Sequence, residues 1–101
     1  KLNYPPYYYL TSIKICSKDY DKASKNATKI CNYIKNNISK TSIVLGPSTA
    51  NLFKLNNIYR FQIIIKYKHD NLLFKSLSFI DNLYINENDV YLEIDNNPIS
   101  I

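Results

Sequence analysis

Residues 58–68 read IYRFQIIIKYK, and this stretch is the longest strand signal in the chain. It is rich in β-branched and aromatic residues, which favour the pleated surface of a central strand. Because successive side chains of a strand point to opposite faces, the stretch predicts one core face and one charged face. The core face holds Tyr59, Phe61, Ile63 and Ile65, and the charged face holds Arg60, Gln62, Ile64, Lys66 and Lys68. Arg60 is the only arginine, and its guanidinium needs solvent, a carboxylate or a phosphate, so any functional surface is expected there.

Periodicities on both sides of this strand predict a β-α-β-β-α-β order. Strands are expected at 8–16 and 90–95, and helices near 18–38 and 70–84. The second strand is expected in two pieces, a strand at 42–45 and a hairpin arm at 48–55 that leads into the central strand. Ser17 or Asp19 can cap the first helix, and Asp70 can cap the second. Two helices on one face of an antiparallel four-stranded sheet, in the spatial order 4-1-3-2, keep both crossovers right-handed. The sequence therefore predicts a two-layer α+β sandwich of the ferredoxin-like type, with the other sheet face open.

Three local expectations refine this arrangement. Gly46, the only glycine, marks a backbone position that a side chain would hinder. In the predicted strand order Lys14 lies opposite Glu93 on the wetter sheet face, where the two could form an ion pair. The core is expected to contain Ile13, Ile15, Ile30, Ile34, Phe61, Ile63, Ile65, Leu77 and Ile80.

Length and composition limit the class of protein. A chain of 101 residues can bury about two thirds of its unfolded surface in one core, so residues 8–101 are expected to form a single domain. Residues 1–7 include two prolines, which cannot donate sheet hydrogen bonds, and are expected to be a linker. The chain has no methionine, even at its start, which indicates a piece of a longer protein.

Cysteine usage and hydropathy predict the compartment. Cys16 and Cys31 lack the spacing of a zinc or redox motif and fall in different predicted elements, which favours two cytosolic thiols over a disulfide. No apolar run approaches 18 residues and no signal peptide is present, so membrane insertion and secretion have no support. We therefore expect a cytoplasmic protein.

The charge is divided unevenly along the chain. Residues 1–80 hold 13 basic and three acidic residues, or +10, whereas residues 81–101 hold five acidic residues and no base, or −5. Such basicity favours a nucleic-acid partner, although a lysine-rich face is often plain solvated surface. Charge alone leaves both interpretations open.

The sequence offers little for catalysis. His69 is the only histidine and is predicted in the turn before the second helix, where an exposed turn residue is the ordinary role. The chain contains no metal-ligand cluster, catalytic triad or nucleotide-binding glycine loop. We expect no enzymatic activity and no cofactor in these 101 residues alone.

Four motifs, in order and spacing, resemble the C-terminal domain of the primosomal protein N′ (PriA) family. They are Tyr4-Pro5-Pro6-Tyr7, Leu45-Gly46-Pro47 with Ala50 and Lys54 behind it, YRFQIIIK at 59–66, and the closing Ile94-Asp95-Asn96-Asn97-Pro98. The family more often has an acidic residue where this chain has Asn96-Asn97 before the final proline. The resemblance implies the fold of ribosomal protein S10, which agrees with the element order predicted above.

The same resemblance implies a larger parent protein. The parent would be a bacterial ATP-dependent 3′-to-5′ DNA helicase that recognises stalled or branched replication forks and restarts replication. ATP with magnesium and structural zinc are then expected in parts of the parent upstream of this chain. The expected partners are DNA as forks, duplex or single strands, the helicase core of the same chain, single-stranded-DNA-binding protein and primosome loading proteins, and no membrane.

The candidate site combines the resemblance with the alternation in the central strand. The candidate DNA contacts are Arg60, Lys66, Lys68, Lys54 and Tyr59, and the alternative basic helix face is Lys22, Lys25 and Lys29. Tyr59 would contribute if the hairpin tip is exposed. In the alternative function, a protein-interaction module, the Arg60 face docks onto the helicase core or binds the acidic tail of single-stranded-DNA-binding protein. A ribosomal-type RNA-binding protein is a third, less favoured interpretation.

Overall fold

The structure is a computed structural model that describes residues 9–68 and 70–96. Its elements are β1 (Tyr9–Ser17), α1 (Tyr20–Asn36), β2 (Ile43–Leu55), β3 (Ile58–Tyr67), α2 (Asn71–Tyr84) and β4 (Val90–Asn96). The predicted β-α-β-β-α-β order is confirmed. The expected linker at 1–7, Tyr8, His69 and the closing Asn97-Pro98 lie outside the described residues.

The four strands form one antiparallel sheet in the order β2-β3-β1-β4. This is the predicted spatial order, and it makes β3 and β1 the two central strands. Across the sheet, Ile13 of β1 lies opposite Ile63 of β3 on one side and Ile94 of β4 on the other. β3, the strand predicted to organise the fold, therefore pairs with β1, and apolar residues of β1 lie opposite apolar residues of β3.

A single hydrophobic core joins one face of the sheet to both helices. It includes all nine residues predicted from the periodicities, from Ile13 through Ile80. α1 contributes Ala23, Ala27, Ile30, Cys31 and Ile34, and α2 contributes Leu73, Leu77 and Ile80. Since both helices share this core, they cover the same sheet face, and the two-layer ferredoxin-like prediction is confirmed.

Both helices begin at the predicted aspartates. Asp19 caps α1 by accepting hydrogen bonds from the backbone N–H groups of Asp21 and Lys22. Asp70 caps α2 by accepting a hydrogen bond from the N–H of Leu73 at 2.9 Å. A capping carboxylate satisfies N–H groups that have no partner within the first helical turn.

The two predicted pieces of the second strand form one irregular strand, β2. Its pairing with β3 shifts between Leu45 and Ser48 and again between Thr49 and Lys54. Gly46 lies at the first shift with φ +114°, and an added Cβ there would lie 2.8 Å from the backbone oxygen of Gln62. The expectation that a side chain would hinder this backbone position is confirmed.

The second face of β1 differs in part from its prediction. Lys14 is half-buried, but its neighbours Ser12 and Cys16 on the same face are 3% and 0% exposed. A central strand has a neighbour on each side, so the longer side chains of β3 and β4 can cover the short ones between them. Lys14 lies opposite Glu93 as expected, but no ion pair joins them within the described residues.

Candidate nucleic-acid interface

The side of the sheet that faces away from both helices is called the open sheet face below. Alternation and register assign to it Ile43, Leu45 and Ser48 of β2, Arg60, Gln62, Ile64 and Lys66 of β3, Leu10, Ser12, Lys14 and Cys16 of β1, and Tyr91, Glu93 and Asp95 of β4. Its basic residues lie on the two central strands, and its carboxylates lie on the edge strand β4. The predicted charge split along the sequence therefore becomes a charge gradient across the sheet.

Arg60 lies at one end of this face, opposite Cys16. The residue is half-buried, and its buried Nη1 atom has no hydrogen-bond partner within residues 9–68 and 70–96. Among the same residues no carboxylate, including those of Glu93 and Asp95, forms an ion pair with it. A guanidinium keeps its charge at all ordinary pH values, and a buried N–H without an acceptor costs about 1 to 3 kcal/mol. This position therefore favours an incoming anionic oxygen.

Lys66 and Lys68 lie far from Arg60 along the same strand. Lys66 is exposed and is separated from Arg60 by six residues, which corresponds to about 20 Å in a strand. Lys68 follows the end of β3 and is also exposed. Next to Lys66, the β2 residues Ile43 and Leu45 are exposed on the same face. The basic positions therefore span the length of the strand, and an extended polyanion could contact both ends.

Lys54 and Tyr59 lie on the other side of the sheet. They pair across β2 and β3, and the Nζ of Lys54 lies 5.0 Å from the centroid of the Tyr59 ring. Tyr59 also packs edge-on against Tyr20 of α1, with ring centroids 5.6 Å apart. The structure therefore does not bring these two candidates together with Arg60.

The alternative basic face lies on the outer side of α1. Lys22 donates a hydrogen bond to Asp89 Oδ2 at 2.6 Å, and this bond and the carboxylate charge raise the pKa of Lys22. Lys25 and Lys29 are exposed and lie one turn apart, and neither forms an ion pair within the described part of the chain. Since Asp89 partly neutralises Lys22, this face presents fewer uncompensated charges than the sequence suggests.

Tyr91 belongs to the Arg60 end of the open sheet face, although sequence reasoning did not select it. It lies opposite Cys16, which lies opposite Arg60, and it is 40% exposed. The signal was available in the sequence, because the predicted strand order and alternation place residue 91 on this face.

The groups beside Arg60 are uncharged at neutral pH. Burial raises the pKa of the Cys16 thiol, and the charge of Glu93 raises it further, while Arg60, the contact with Tyr91 and Lys14 act in the opposite direction. Burial is also the largest cause that raises the pKa of Tyr91. Arg60, Cys16 and Tyr91 lie side by side across β3, β1 and β4, and this row of three residues therefore carries one fixed charge, that of Arg60.

A metal centre and a membrane-spanning helix are two other features through which a chain can act. Within 9–68 and 70–96 no group of three or more His, Cys, Asp or Glu side chains is arranged to hold a metal ion. Neither α1 nor α2 is long and apolar enough to cross a membrane.

A family model described as "Primosomal protein N C-terminal domain" matches residues 1–99. Among curated relatives, Replication restart protein PriA of Bacillus subtilis (strain 168) is 35% identical over 99 residues, which are 95% of this chain and 12% of the relative. The proteins of the same name from Synechocystis sp. and Borreliella burgdorferi are 31% and 33% identical over 99% and 100% of this chain, and 12% and 15% of their own lengths. The chain thus spans about an eighth of these relatives.

A solved structure supports the fold alone. The de novo designed protein Foldit4 superposes with a TM-score of 0.67 over 90% of this chain and 97% of its own, at 13% sequence identity. A shared architecture at this identity carries no information on function.

Proposed function

Because the chain belongs to the family of primosomal protein N C-terminal domains, we propose that it is the DNA-binding accessory domain of a replication-restart helicase. The parent protein would recognise stalled or branched forks in the cytoplasm and act as an ATP-dependent 3′-to-5′ DNA helicase. ATP with magnesium and structural zinc would belong to other parts of that parent. The role of this chain would be binding, with no catalytic step of its own.

The unpartnered Nη1 of Arg60 is the observation that carries the proposal. A half-buried guanidinium can form strong, charge-assisted hydrogen bonds with a phosphate oxygen. Such a bond would satisfy the N–H groups of Nη1, which have no acceptor among the residues that the structure describes. Arg60 therefore has a physical reason to contact DNA that Lys54 and Lys68 lack.

The charge gradient of the open sheet face would orient the DNA. Phosphates are attracted by Arg60 and Lys66 on β3 and repelled by Glu93 and Asp95 on β4. The sugar-phosphate backbone would therefore run along β3. Contacts of this kind position a nucleic acid without specifying its sequence.

Replacing Arg60 or Lys66 by alanine is expected to weaken binding to fork, duplex and single-stranded DNA alike. Each lost phosphate contact should reduce the slope of log K against log salt by about 0.7 to 0.9. Fluorescence anisotropy titrations at several salt concentrations measure both quantities, and a melting curve checks that each variant is folded.

Lys25→Ala is the matched control, because it removes one exposed charge from the outer face of α1. It should leave DNA affinity within about twofold apart from the small effect of net charge. Unchanged affinity of the Arg60→Ala and Lys66→Ala chains, combined with a loss in Lys25→Ala, would instead select the helix face. A drop in melting temperature with intact affinity would make Arg60 a structural residue.

A second candidate function is docking onto protein, and the outer face of α2 favours it. Leu72, Phe79 and Leu83 are 51%, 48% and 55% exposed, and their spacing places them on one side of the helix. Phe79 also stacks on Tyr33 of α1, with ring centroids 5.1 Å apart. Exposed apolar side chains that share one face are typical of protein contacts. The helicase core of the parent is the proposed occupant, while Arg60 would remain available for DNA or for the acidic tail of single-stranded-DNA-binding protein.

Phe79→Ser and Leu83→Ser are expected to reduce association of this chain with the remainder of a parent helicase supplied separately, by roughly tenfold or more. Ile85→Ser is the control, since Ile85 is also exposed but is the residue that follows α2 at its C-cap, outside the stripe. Isothermal titration measures the association. Equal losses in all three variants would contradict a contact through this stripe.

A further inference from the structure

Three adjacent strands bring Arg60, Cys16 and Tyr91 into one row across the open sheet face. The register pairs Arg60 with Cys16 and Cys16 with Tyr91. Cys16 is 0% exposed, whereas the Tyr91 side chain is 40% exposed. The row therefore has a covered centre, a guanidinium at one end and an accessible aromatic ring at the other, about two strand spacings or roughly 10 Å apart.

A cavity of about 270 Å³ lies beside this row, where the chain leaves β1 for α1. It is lined by Ser17, Lys18, Asp19, Lys22, Ile58, Asn88, Asp89 and Tyr91. The volume is close to the lower end of the range of about 300 to 1,000 Å³ that is usual for ligand sites. Ile58 and the ring of Tyr91 offer apolar surface to a flat heteroaromatic ring. The other lining residues are polar or charged, with Lys22 and Asp89 paired to each other, and they can contact the polar edges of such a ring.

We propose that this end of the open sheet face binds an unpaired nucleotide of DNA, with a phosphate on Arg60 and the base stacked on Tyr91 beside the cavity. The inference rests on the proposed DNA-binding function and adds the form of DNA that the site selects. In RNA-binding domains with a four-stranded sheet, bases stack on aromatic side chains of the sheet surface. Stacking on one ring tolerates every base, because each base has a π-face.

The geometry selects unpaired over paired bases. Within a duplex, both faces of a base are covered by its neighbours, so no face is free for the Tyr91 ring. Glu93 and Asp95 follow Tyr91 on the same face of β4 and repel phosphates. A single strand can offer a free base face to Tyr91 and keep its phosphates away from Glu93 and Asp95. It does so when its phosphates follow β3 and its bases point towards β4.

Tyr91→Ala is expected to weaken binding of a labelled oligothymidylate by roughly 5- to 100-fold, the effect of losing one stacked base. Binding of a blunt duplex of the same length should change by less than about twofold. Tyr91→Phe should retain single-strand binding, because the ring remains. Tyr9→Ala is the matched control, since Tyr9 is 54% exposed but lies on the helix side of the sheet.

A tryptophan at this position gives a direct readout of stacking. The chain has no tryptophan, so the emission of a Tyr91→Trp variant reports on residue 91 alone. Oligothymidylate should quench it, whereas Tyr9→Trp emission should stay constant. If Tyr91→Ala fails to fold, the emission of Tyr91→Trp still shows whether a base stacks on residue 91.

The outcomes separate the inference from the function on which it rests. Wild-type affinity of Tyr91→Ala for single strands, or unchanged Tyr91→Trp emission at saturation, overturns the stacking site even if Arg60→Ala still weakens binding. Equal losses on duplex and single strand after Tyr91→Ala also overturn it. Failure of the unaltered chain to bind any DNA overturns both.

Discussion

Replacing Ile63 by alanine is expected to lower the free energy of unfolding by about 2 to 5 kcal/mol. Ile63 is 0% exposed and lies opposite Ile13 at the centre of the sheet, in the core that both helices share. Truncation removes buried methyl and methylene groups and leaves a cavity that the surrounding strands cannot close fully. Since small domains are stable by only about 5 to 15 kcal/mol, the loss should be obvious in a urea titration.

Ile64→Ala is the matched control for this prediction. Ile64 is the next residue of the same strand and has the same side chain, but it is half-buried on the open sheet face. Its truncation removes less surface from contact with protein, and we expect a loss below about 1.5 kcal/mol. If the two variants lose similar amounts of unfolding free energy, the conclusion that the core lies on one face of the sheet is contradicted.

The elements and the core were predictable because their signals are local and periodic. Alternation in β3 alone assigns Ile63 and Ile65 to the core and Arg60 to the opposite face, and the register confirms this. The strand order then followed from the handedness of the crossovers. Family membership was also predicted, and the match to residues 1–99 confirms it.

The details of the open sheet face could not be predicted in the same way. Whether Nη1 of Arg60 finds a hydrogen-bond partner and whether Cys16 is buried depend on the rotamers of side chains on the neighbouring strands. The alternation of a strand does not predict these rotamers. Tyr59 and Arg60 were grouped as candidates although neighbouring residues of a strand point to opposite faces of the sheet. Tyr91 differs from these details, because the predicted strand order and alternation already place it on this face; it was missed because the candidates there were selected by their charge.

The contacts of Asp70 likewise exceed what a capping signal predicts. Besides capping α2, its Oδ2 accepts hydrogen bonds from the backbone N–H of Ser39 at 3.1 Å and from the hydroxyl of Ser42. The side chain is buried, with the residue 4% exposed. Asp70 therefore fixes the connection between α1 and β2 to the first turn of α2.

Replacing Asp70 by alanine is expected to lower the free energy of unfolding by about 2 to 4 kcal/mol. Loss of the cap alone is usually worth about 0.5 to 2 kcal/mol, and a buried N–H left without an acceptor adds about 1 to 3 kcal/mol. Urea titration gives the total loss. Hydrogen exchange should show faster exchange at the Ser39 amide and in the first turn of α2.

Asp19→Ala separates the two contributions to this loss. Asp19 caps α1 in the same manner, but it is exposed, and its bonds to Asp21 and Lys22 stay within one turn. Its replacement should cost only the cap, about 0.5 to 1 kcal/mol. Asp70→Asn should fall between the two variants, because the amide can still cap Leu73 but its NH₂ group cannot accept from Ser39. If Asp70→Ala is no more destabilising than Asp19→Ala, the bonds to residues 39 and 42 add nothing to stability.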